Sequence, residues 1–202
     1  MQTNWSLNMQ VTPQLLLTAY SQGLFPMGNE DGTLHWYDPD PRAILPLDNF
    51  HVPRSLAQRM RRGGFTVRFN TAFRDVMIAC ATPAPGREAT WITPTIVDLY
   101  CELHKRGFAH SVETWIDGRL AGGLYGVALG GLFAGESMFS RVADSSKIAL
   151  VHLVERLRSN GFVLHDTQFL TAHLRRFGAQ EISRAEYQQR LQKALTIRTR
   201  LV

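Results

Sequence analysis

Two spacings of apolar residues, one every second position and one every third or fourth, divide the chain into predicted elements. Thr12-Pro13 reads as a helix cap with proline at the first helical position, Leu15, Leu16, Leu17, Ala19 and Tyr20 continue the helix, and Gly23 ends it. Phe25 to Gly32 reads as turn chemistry, and Trp36-Tyr37-Asp38-Pro39-Asp40-Pro41-Arg42 as a stiff aromatic loop set by prolines. Ile44 to Leu47 predicts a short edge strand. Phe65 to Asn70 alternates as a strand, Thr71 to Ala81 is helical, and Pro83 to Gly86 is a loop. Thr93-Pro94 opens a helix that runs to Arg106 and stops at Gly107. Three strands follow, Ala109–Ile116, Leu120–Leu129 and Leu132–Ser140, the first two joined by the hairpin signal Asp117-Gly118. Asp144-Ser145-Ser146 caps a long helix through Arg158, Phe162 to Phe169 is a strand, and Thr171–Phe177 and Arg184–Leu195 are helices. The order predicts a mixed α/β fold: an antiparallel meander, then a helical crossover to one more strand.

Two carboxylates interrupt apolar strands in this pattern. In Phe162-Val163-Leu164-His165-Asp166-Thr167-Gln168-Phe169, Asp166 and Gln168 share one face and His165 and Thr167 the other. A carboxylate there costs free energy unless it is paired or hydrogen-bonded. Asp166 is therefore either a structural group bonded to a neighbouring element or a proton acceptor working beside Gln168. In the strand Gly131 to Ser140, alternation puts Ala134, Glu136, Met138 and Ser140 on one face. If Glu136 and Asp166 line one cleft, mutual repulsion would raise one pKa toward the range of a general base. Alternatively Glu136 holds a substrate's ammonium group. Ser137 lacks the second glycine of a nucleophile elbow, Gly135-Glu136-Ser137-Met138-Phe139 standing in its place.

Composition narrows the field. The chain is 202 residues, enough for one main domain with a small appendage, and its 19% of charged residues is ordinary for a globular protein. No apolar run approaches the roughly 20 residues of a membrane span. The start, Met1-Gln2-Thr3-Asn4-Trp5, has no signal-peptide character, so a cytoplasmic address is expected. Cys80 and Cys101, the two cysteines, read as small core residues. The 7 histidines show no metal-ligand spacing, and no phosphate loop for ATP is present. Net charge is +5, with Arg54, Arg59, Arg61 and Arg62 close together and Arg42 shortly before them. That run is either a solvated helix face or a phosphate-contacting patch. In Leu150, Leu153/Val154 and Leu157 the long helix has one apolar face.

The strand and helix order resembles the GNAT N-acyltransferase layout. Acetyl-CoA users of that superfamily carry a glycine-rich loop before the long helix. Here Ser140-Arg141-Val142-Ala143-Asp144-Ser145-Ser146-Lys147 has no glycine, which disfavours a coenzyme A donor. A more specific resemblance comes from motifs in order: Leu24-Phe25-Pro26, Trp36-Tyr37-Asp38-Pro39-Asp40-Pro41-Arg42, Thr90-Trp91-Ile92-Thr93, Gly107-Phe108-Ala109-His110-Ser111-Val112-Glu113, Gly123-Leu124-Tyr125-Gly126-Val127, Gly135-Glu136-Ser137-Met138-Phe139-Ser140 and Asp166-Thr167-Gln168. Together they resemble the leucyl/phenylalanyl-tRNA–protein transferase family over Val11 to Leu195.

The resemblance implies a GNAT-like core at 51–202 behind a short N-terminal subdomain at 1–50. It implies a cofactor-free, metal-free aminoacyltransferase of the cytoplasm, without a membrane partner. Its donor would be leucyl-, phenylalanyl- or methionyl-tRNA, and its acceptor a protein or peptide with N-terminal Arg or Lys, marked thereby for N-degron proteolysis. By motif position Asp166 and Gln168 would be the catalytic pair, with Glu136 the cleft carboxylate. Trp36, Tyr37 and Trp91 would meet the terminal adenosine and the acceptor. Leu124, Met138, Leu150, Leu153 and Leu157 would line the side-chain pocket, with Ser140 beside it, and Arg54, Arg61 and Arg62 would meet the tRNA. This chain departs from the family in three respects. Ten residues precede Val11 where a few tens are common; Tyr37 replaces a second Trp; and Leu153 and Leu157 stand where Phe is frequent. The last change implies an altered preference among Leu, Phe and Met.

Overall fold

The computed structural model describes residues 11–29, 33–83 and 90–202. The predicted turn at 30–32, the loop at 84–86 and the N-terminal stretch 1–5 lie outside them. A seven-stranded mixed sheet dominates, in the order β4-β5-β6-β7-β8-β3-β9. Its strands are β3 (Arg42–Ile44), β4 (Thr66–Phe69), β5 (Ala109–Ile116), β6 (Arg119–Leu129), β7 (Leu132–Ser140), β8 (Leu164–Gln168) and β9 (Gln180–Ile182). β5, β6 and β7 form the predicted antiparallel meander, turning through Asp117 (φ 49) and Gly118 (φ 72). β8 then joins β7 in parallel through the crossover helix α5 (Ser145–Ser159).

The segment read as turn and loop folds into a separate two-stranded sheet of β1 (Phe25–Gly28) and β2 (Leu34–Tyr37), Pro26 opposite Trp36. Prolines suggest a loop, yet Pro26 is accommodated because this small ribbon leaves its edges unpaired. The strand predicted at Ile44–Leu47 as an edge is instead β3, inside the large sheet between β8 and β9. Its burial explains the unbroken apolar run Ala43-Ile44-Leu45, all at or below 1% exposed. β9, at Gln180–Ile182, is a three-residue strand whose pattern is too short for periodicity to reveal. The helix expected at Thr171–Phe177 shortens to α6 (Ala172–Arg175). Residues ahead of 51 thus contribute to both sheets.

Helices cover both faces of the large sheet. α1 (Pro13–Ser21), α3 (Phe73–Ala81) and α4 (Pro94–Lys105) build one apolar layer with Tyr125, Val127, Ala134 and Phe139. On the opposite face α5 packs with Leu56 of α2 (Arg54–Arg62) over Val112, Leu124 and Phe133. A third cluster joins Ile44, Leu132 and Leu164 to Tyr187 and Leu191 of α7 (Arg184–Leu195). Cys80 is buried as expected, whereas Cys101 is half-buried. The close approach of α5 to the sheet requires Gly122, because a Cβ there would stand 2.1 Å from Ser145 Oγ. Among the described residues, no helix is long and apolar enough to cross a membrane.

Candidate active site

β7 and β8 are paired over only three positions, ending at Ala134 opposite Asp166. Beyond that point β7 continues to Ser140 and β8 to Gln168, so the two strands part at their carboxyl ends. Openings at the carboxyl ends of parallel strands are where α/β sheets receive ligands. Both sequence-predicted carboxylates lie here, and their surroundings differ sharply.

Asp166 is fully buried and saturated. Arg42 Nε donates to its Oδ1 at 2.9 Å and Arg42 Nη2 to its Oδ2 at 2.6 Å. The Tyr187 hydroxyl adds a bond to Oδ2 at 2.8 Å, and the Gln168 backbone N–H one to Oδ1 at 2.9 Å. Arg42, 1% exposed, also donates to the Gly23 carbonyl at 2.8 Å and lies between the Phe25 and Tyr187 rings. Burial by itself would lower the Arg42 pKa, but the Asp166 carboxylate and its hydrogen bonds hold it above the ordinary guanidinium range. Desolvation, then the Asp166 charge, pushes the Tyr187 phenol well above 10. Arg42 therefore leaves the surface patch to which its sequence position assigned it. The pair is a planar two-point match that only arginine supplies.

Gln168 is positioned by that ion pair through the backbone. Its φ is 57°, a left-handed value that side chains rarely adopt, and Phe169 N–H donates back to the Thr167 carbonyl at 2.7 Å. The result is a tight three-residue turn, a strained conformation. The bond from Gln168 N–H to buried, immobile Asp166 holds it. The Gln168 side chain then reaches Glu136, Nε2 to Oε1 at 3.4 Å.

Glu136 stands at a β-bulge. Tyr125 pairs with Ser137 and Gly126 with Gly135, so Glu136 is the extra residue. The bulge corrects the predicted face-sharing. Glu136 points to the α1/α4 layer, while Met138, two residues on, packs with the α5 layer on the other face. Strict alternation fails because one unpaired residue shifts the parity. Tyr20 of α1 donates to Glu136 Oε1 at 2.8 Å, Tyr100 of α4 lies 3.4 Å from Oε2, and the two tyrosine hydroxyls hydrogen-bond to each other. Desolvation raises the Glu136 pKa to about 8; Asp166 adds to the rise, and the Tyr20 and Tyr100 hydrogen bonds and Arg42 oppose it. The mutual repulsion predicted from the sequence is thus secondary to burial. Burial and the Glu136 charge raise both tyrosines well above 10.

The remaining expected residues fall into three groups. Leu124, Leu150, Leu153 and Leu157 meet in one cluster, each no more than 3% exposed, with half-buried Met138 packed against it. As the protein stands, these leucines are close-packed core. Ser140 is exposed, and its hydroxyl accepts from Ser146 N–H at 3.1 Å, so it caps α5 where Asp144 makes no side-chain cap. Trp36, Tyr37 and Trp91 are half-buried against the α1/α4 layer. Trp91 is tied to the small sheet by a bond from Gly28 N–H to its carbonyl at 3.1 Å. A Cβ at Gly28 would stand 2.6 Å from that oxygen, so glycine permits the junction. Tyr37 stacks on Phe25, which meets the exposed Phe169 edge-on.

Arg54, Arg61 and Arg62 are exposed on α2, which is anchored by buried Leu56 and contains no acidic residue. Arg59 instead folds back to the Gly63 carbonyl at 2.6 Å. Sequence reading missed Arg42, Tyr20, Tyr100 and Tyr187 as members of the site. A signal existed: a buried carboxylate demands a cation, and a buried tyrosine hydroxyl demands a partner. Which residue answers each demand depends on contacts as far apart as Arg42 and Asp166. Among the described residues no cluster of metal-ligating side chains occurs.

Residues 44–192 match the family model described as leucyl/phenylalanyl-tRNA protein transferase, and residues 9–40 match the model of that family's N-terminal domain. A curated protein named leucyl/phenylalanyl-tRNA–protein transferase from Herpetosiphon aurantiacus is 59% identical over 187 residues, which are 92% of this chain and 95% of that one. A protein of the same name from Salinibacter ruber is 55% identical over 188 residues, 93% of this chain and 81% of the other. Among solved structures, L-PGS from Bacillus licheniformis aligns with a TM-score of 0.42 at 15% identity, over 76% of this chain and 52% of that one; likeness of this degree carries no argument.

Proposed function

This chain belongs to the leucyl/phenylalanyl-tRNA–protein transferase family, and from that premise we propose that it moves an apolar aminoacyl group, Leu, Phe or Met, from tRNA to the N-terminal Arg or Lys of a protein. The observation that carries the reading is Gln168, held in its strained turn by ion-paired Asp166 and aimed at Glu136. The reaction joins the acceptor's α-nitrogen to the ester carbonyl carbon. The ester C–O bond breaks, the terminal ribose oxygen leaves with a proton, and the nitrogen gives up one. An aminoacyl ester is already activated, so the task is alignment and proton removal.

The roles follow from accessibility. Asp166 is enclosed by Arg42 and Tyr187 and touches no substrate; it is a positioning residue. The Gln168 amide, whose NH₂ faces Glu136, offers its oxygen to the α-amine. Glu136, with an opening to solvent, receives the acceptor's cationic side chain. Trp36, Tyr37 and Trp91 form an aromatic ledge for the terminal adenosine and acceptor backbone. The aminoacyl side chain enters beside Met138, at the rim of the leucine cluster, displacing Leu153 or Leu157 as it does so. Arg54, Arg61 and Arg62 attract the acceptor stem, a contact whose strength falls with salt. The reaction takes place in the cytoplasm, and its product enters N-degron proteolysis.

Radiolabelled aminoacyl-tRNA offered with Arg-, Lys- and Met-initiated peptides tests this. Transfer to Arg and Lys peptides alone is expected. Gln168→Ala should lower kcat by about 10²-fold, the lower end for a proton-handling group. Equal transfer to the Met-initiated peptide, or an undiminished Gln168→Ala rate, would overturn the reading. Charge reversal at Arg61 and Arg62 should raise KM for tRNA and flatten its salt dependence.

A further inference from the structure

Helix α6 stands next to the residue on which the proposed reaction depends. Phe169, Leu170 and Thr171 alone separate it from Gln168 at the end of β8. Its place is fixed at both ends. Thr171 Oγ1 accepts from Leu174 N–H at 3.2 Å, Leu174 packs against the α5 layer, and Phe177 is buried and stacked on Phe50. With Leu174 and Phe177 turned inward, Arg175 and Arg176 between them are exposed. Together with Ala172 they line an open cavity of about 450 Å³.

Charge in this cavity is uncompensated. Exposed Arg74, Arg106 and Arg190 are each paired with a carboxylate, whereas Arg175 and Arg176 have no ion-pair partner among the described residues. Burial first, and then the charges of Lys147 and Arg176, lower the pKa of His173 on α6. Lys147 itself is held by Asp144 at 2.6 Å and belongs to the first turn of α5, which Ser140 caps from the end of β7. That turn and α6 therefore border the opening where β7 and β8 part. Thr167 Oγ1 and His173 Nε2 are buried and without a hydrogen-bond partner, although buried polar atoms are normally paired.

We propose that Arg175 and Arg176 form a phosphate subsite for the single-stranded 3′ end of the donor tRNA, holding the phosphodiester that joins its last nucleotide to the one before. The inference rests on the reading of the chain as an aminoacyl-tRNA transferase with its reaction at Gln168. In an aminoacyl-tRNA the ester and the 5′-phosphate sit on one ribose. A group gripping that phosphate therefore lies within one nucleotide of the reacting carbonyl. Guanidinium N–H groups match two phosphate oxygens at once, and they do so without reading sequence. Thr167 can add a hydroxyl donor, and a neutral His173 can carry its proton on Nε2. The α2 arginines attract the acceptor stem; the α6 arginines fix where the ester comes to rest.

Phenylalanyl esters of adenosine and of adenosine 5′-methylphosphate share base, ribose and ester, and only the second carries the single charge of the tRNA backbone. Each is measured as a competitor of phenylalanyl-tRNA in transfer to an Arg-initiated peptide. The wild type should bind the phosphate-bearing ester about tenfold more tightly, with a margin that shrinks as salt rises. In the double variant Arg175→Gln, Arg176→Gln the two inhibition constants should converge. Equal constants in the wild type, or a margin that persists in the double variant, overturn the subsite and leave the proposed function standing. A raised KM for whole tRNA with the margin intact assigns the arginines to other phosphates and overturns it too. No transfer from phenylalanyl-tRNA overturns the donor reading itself, and this inference with it. Should the double variant fail to fold, each single variant is read in the same way: a margin below that of the wild type is expected, and an unchanged margin in both refutes the subsite.

Discussion

Asp166 and Glu136 look alike in the sequence, each a carboxylate in an apolar strand, and the fold treats them in opposite ways. Asp166 receives a cation from within the chain, two bonds from Arg42, a phenol from Tyr187 and a backbone N–H. Glu136 receives two phenols and an amide. The first carboxylate has its counter-ion within the fold. The second has no cation among its hydrogen-bond partners, and burial raises its proton affinity. Burial of a charge alone therefore does not identify a working group; what matters is whether the protein already holds its counter-ion.

Removing the partner on each side sharpens the contrast. Arg42→Met leaves Asp166 buried without its cation and should destabilise the fold by about 3–5 kcal/mol, measured by denaturant unfolding. A loss below 1 kcal/mol would mean Asp166 is not held as an ion. Tyr187→Phe removes one charge-assisted bond and should cost about 2 kcal/mol. In neither variant does the expected loss spare transfer, because the Gln168 turn loosens with Asp166.

At the other carboxylate the sign reverses. Glu136→Gln should raise the melting temperature at pH 8.5, where the wild-type carboxyl is ionised without a partner, and change it little at pH 5. The wild-type stability profile checks the same point. His110 and His165 are lowered by burial to about 4, so they stay neutral in the fold while the unfolded chain takes up protons below 6.5. Stability thus rises with pH between about 4 and 6.5. Glu136 is raised from 4.5 to about 8, so the fold holds a proton that the unfolded chain has lost, and stability falls as pH climbs through that window. Below 6.5 these histidines, joined by His173, which burial also lowers, outweigh the single acid; above it the acid dominates. A maximum near pH 6.5, with the alkaline decline abolished in Glu136→Gln, is expected by thermal unfolding. A decline that survives in the variant would dissolve the contrast.

Much of the molecule was legible before folding. The meander, the Asp117-Gly118 hairpin, the crossover helix and the strand bearing Asp166 follow from local rules of alternation, capping and turn chemistry, which neighbours along the chain suffice to satisfy. Gln168 and Asp166 share a face for the same reason. The ordered motifs likewise pointed to the family without any coordinates.

Three matters escaped those rules. β9 is too short for periodicity to mark, and the place of β3 inside the sheet comes from pairing with β8 and β9, more than a hundred residues away. The bulge at Glu136 lies in the register between β6 and β7, a relation between strands that one strand's sequence does not encode. It turns Glu136 toward α1 and α4 and leaves Met138 on the opposite face. Partnership is the third. Sequence alone required that Asp166 and Glu136 be satisfied, because charge is costly out of water. Tertiary structure decided by whom, since Arg42, Tyr20, Tyr100 and Tyr187 come within hydrogen-bond reach only once the layers close. The residue types were set by the chain; which carboxylate is paired with a cation was set by where the one buried guanidinium among the described residues came to rest.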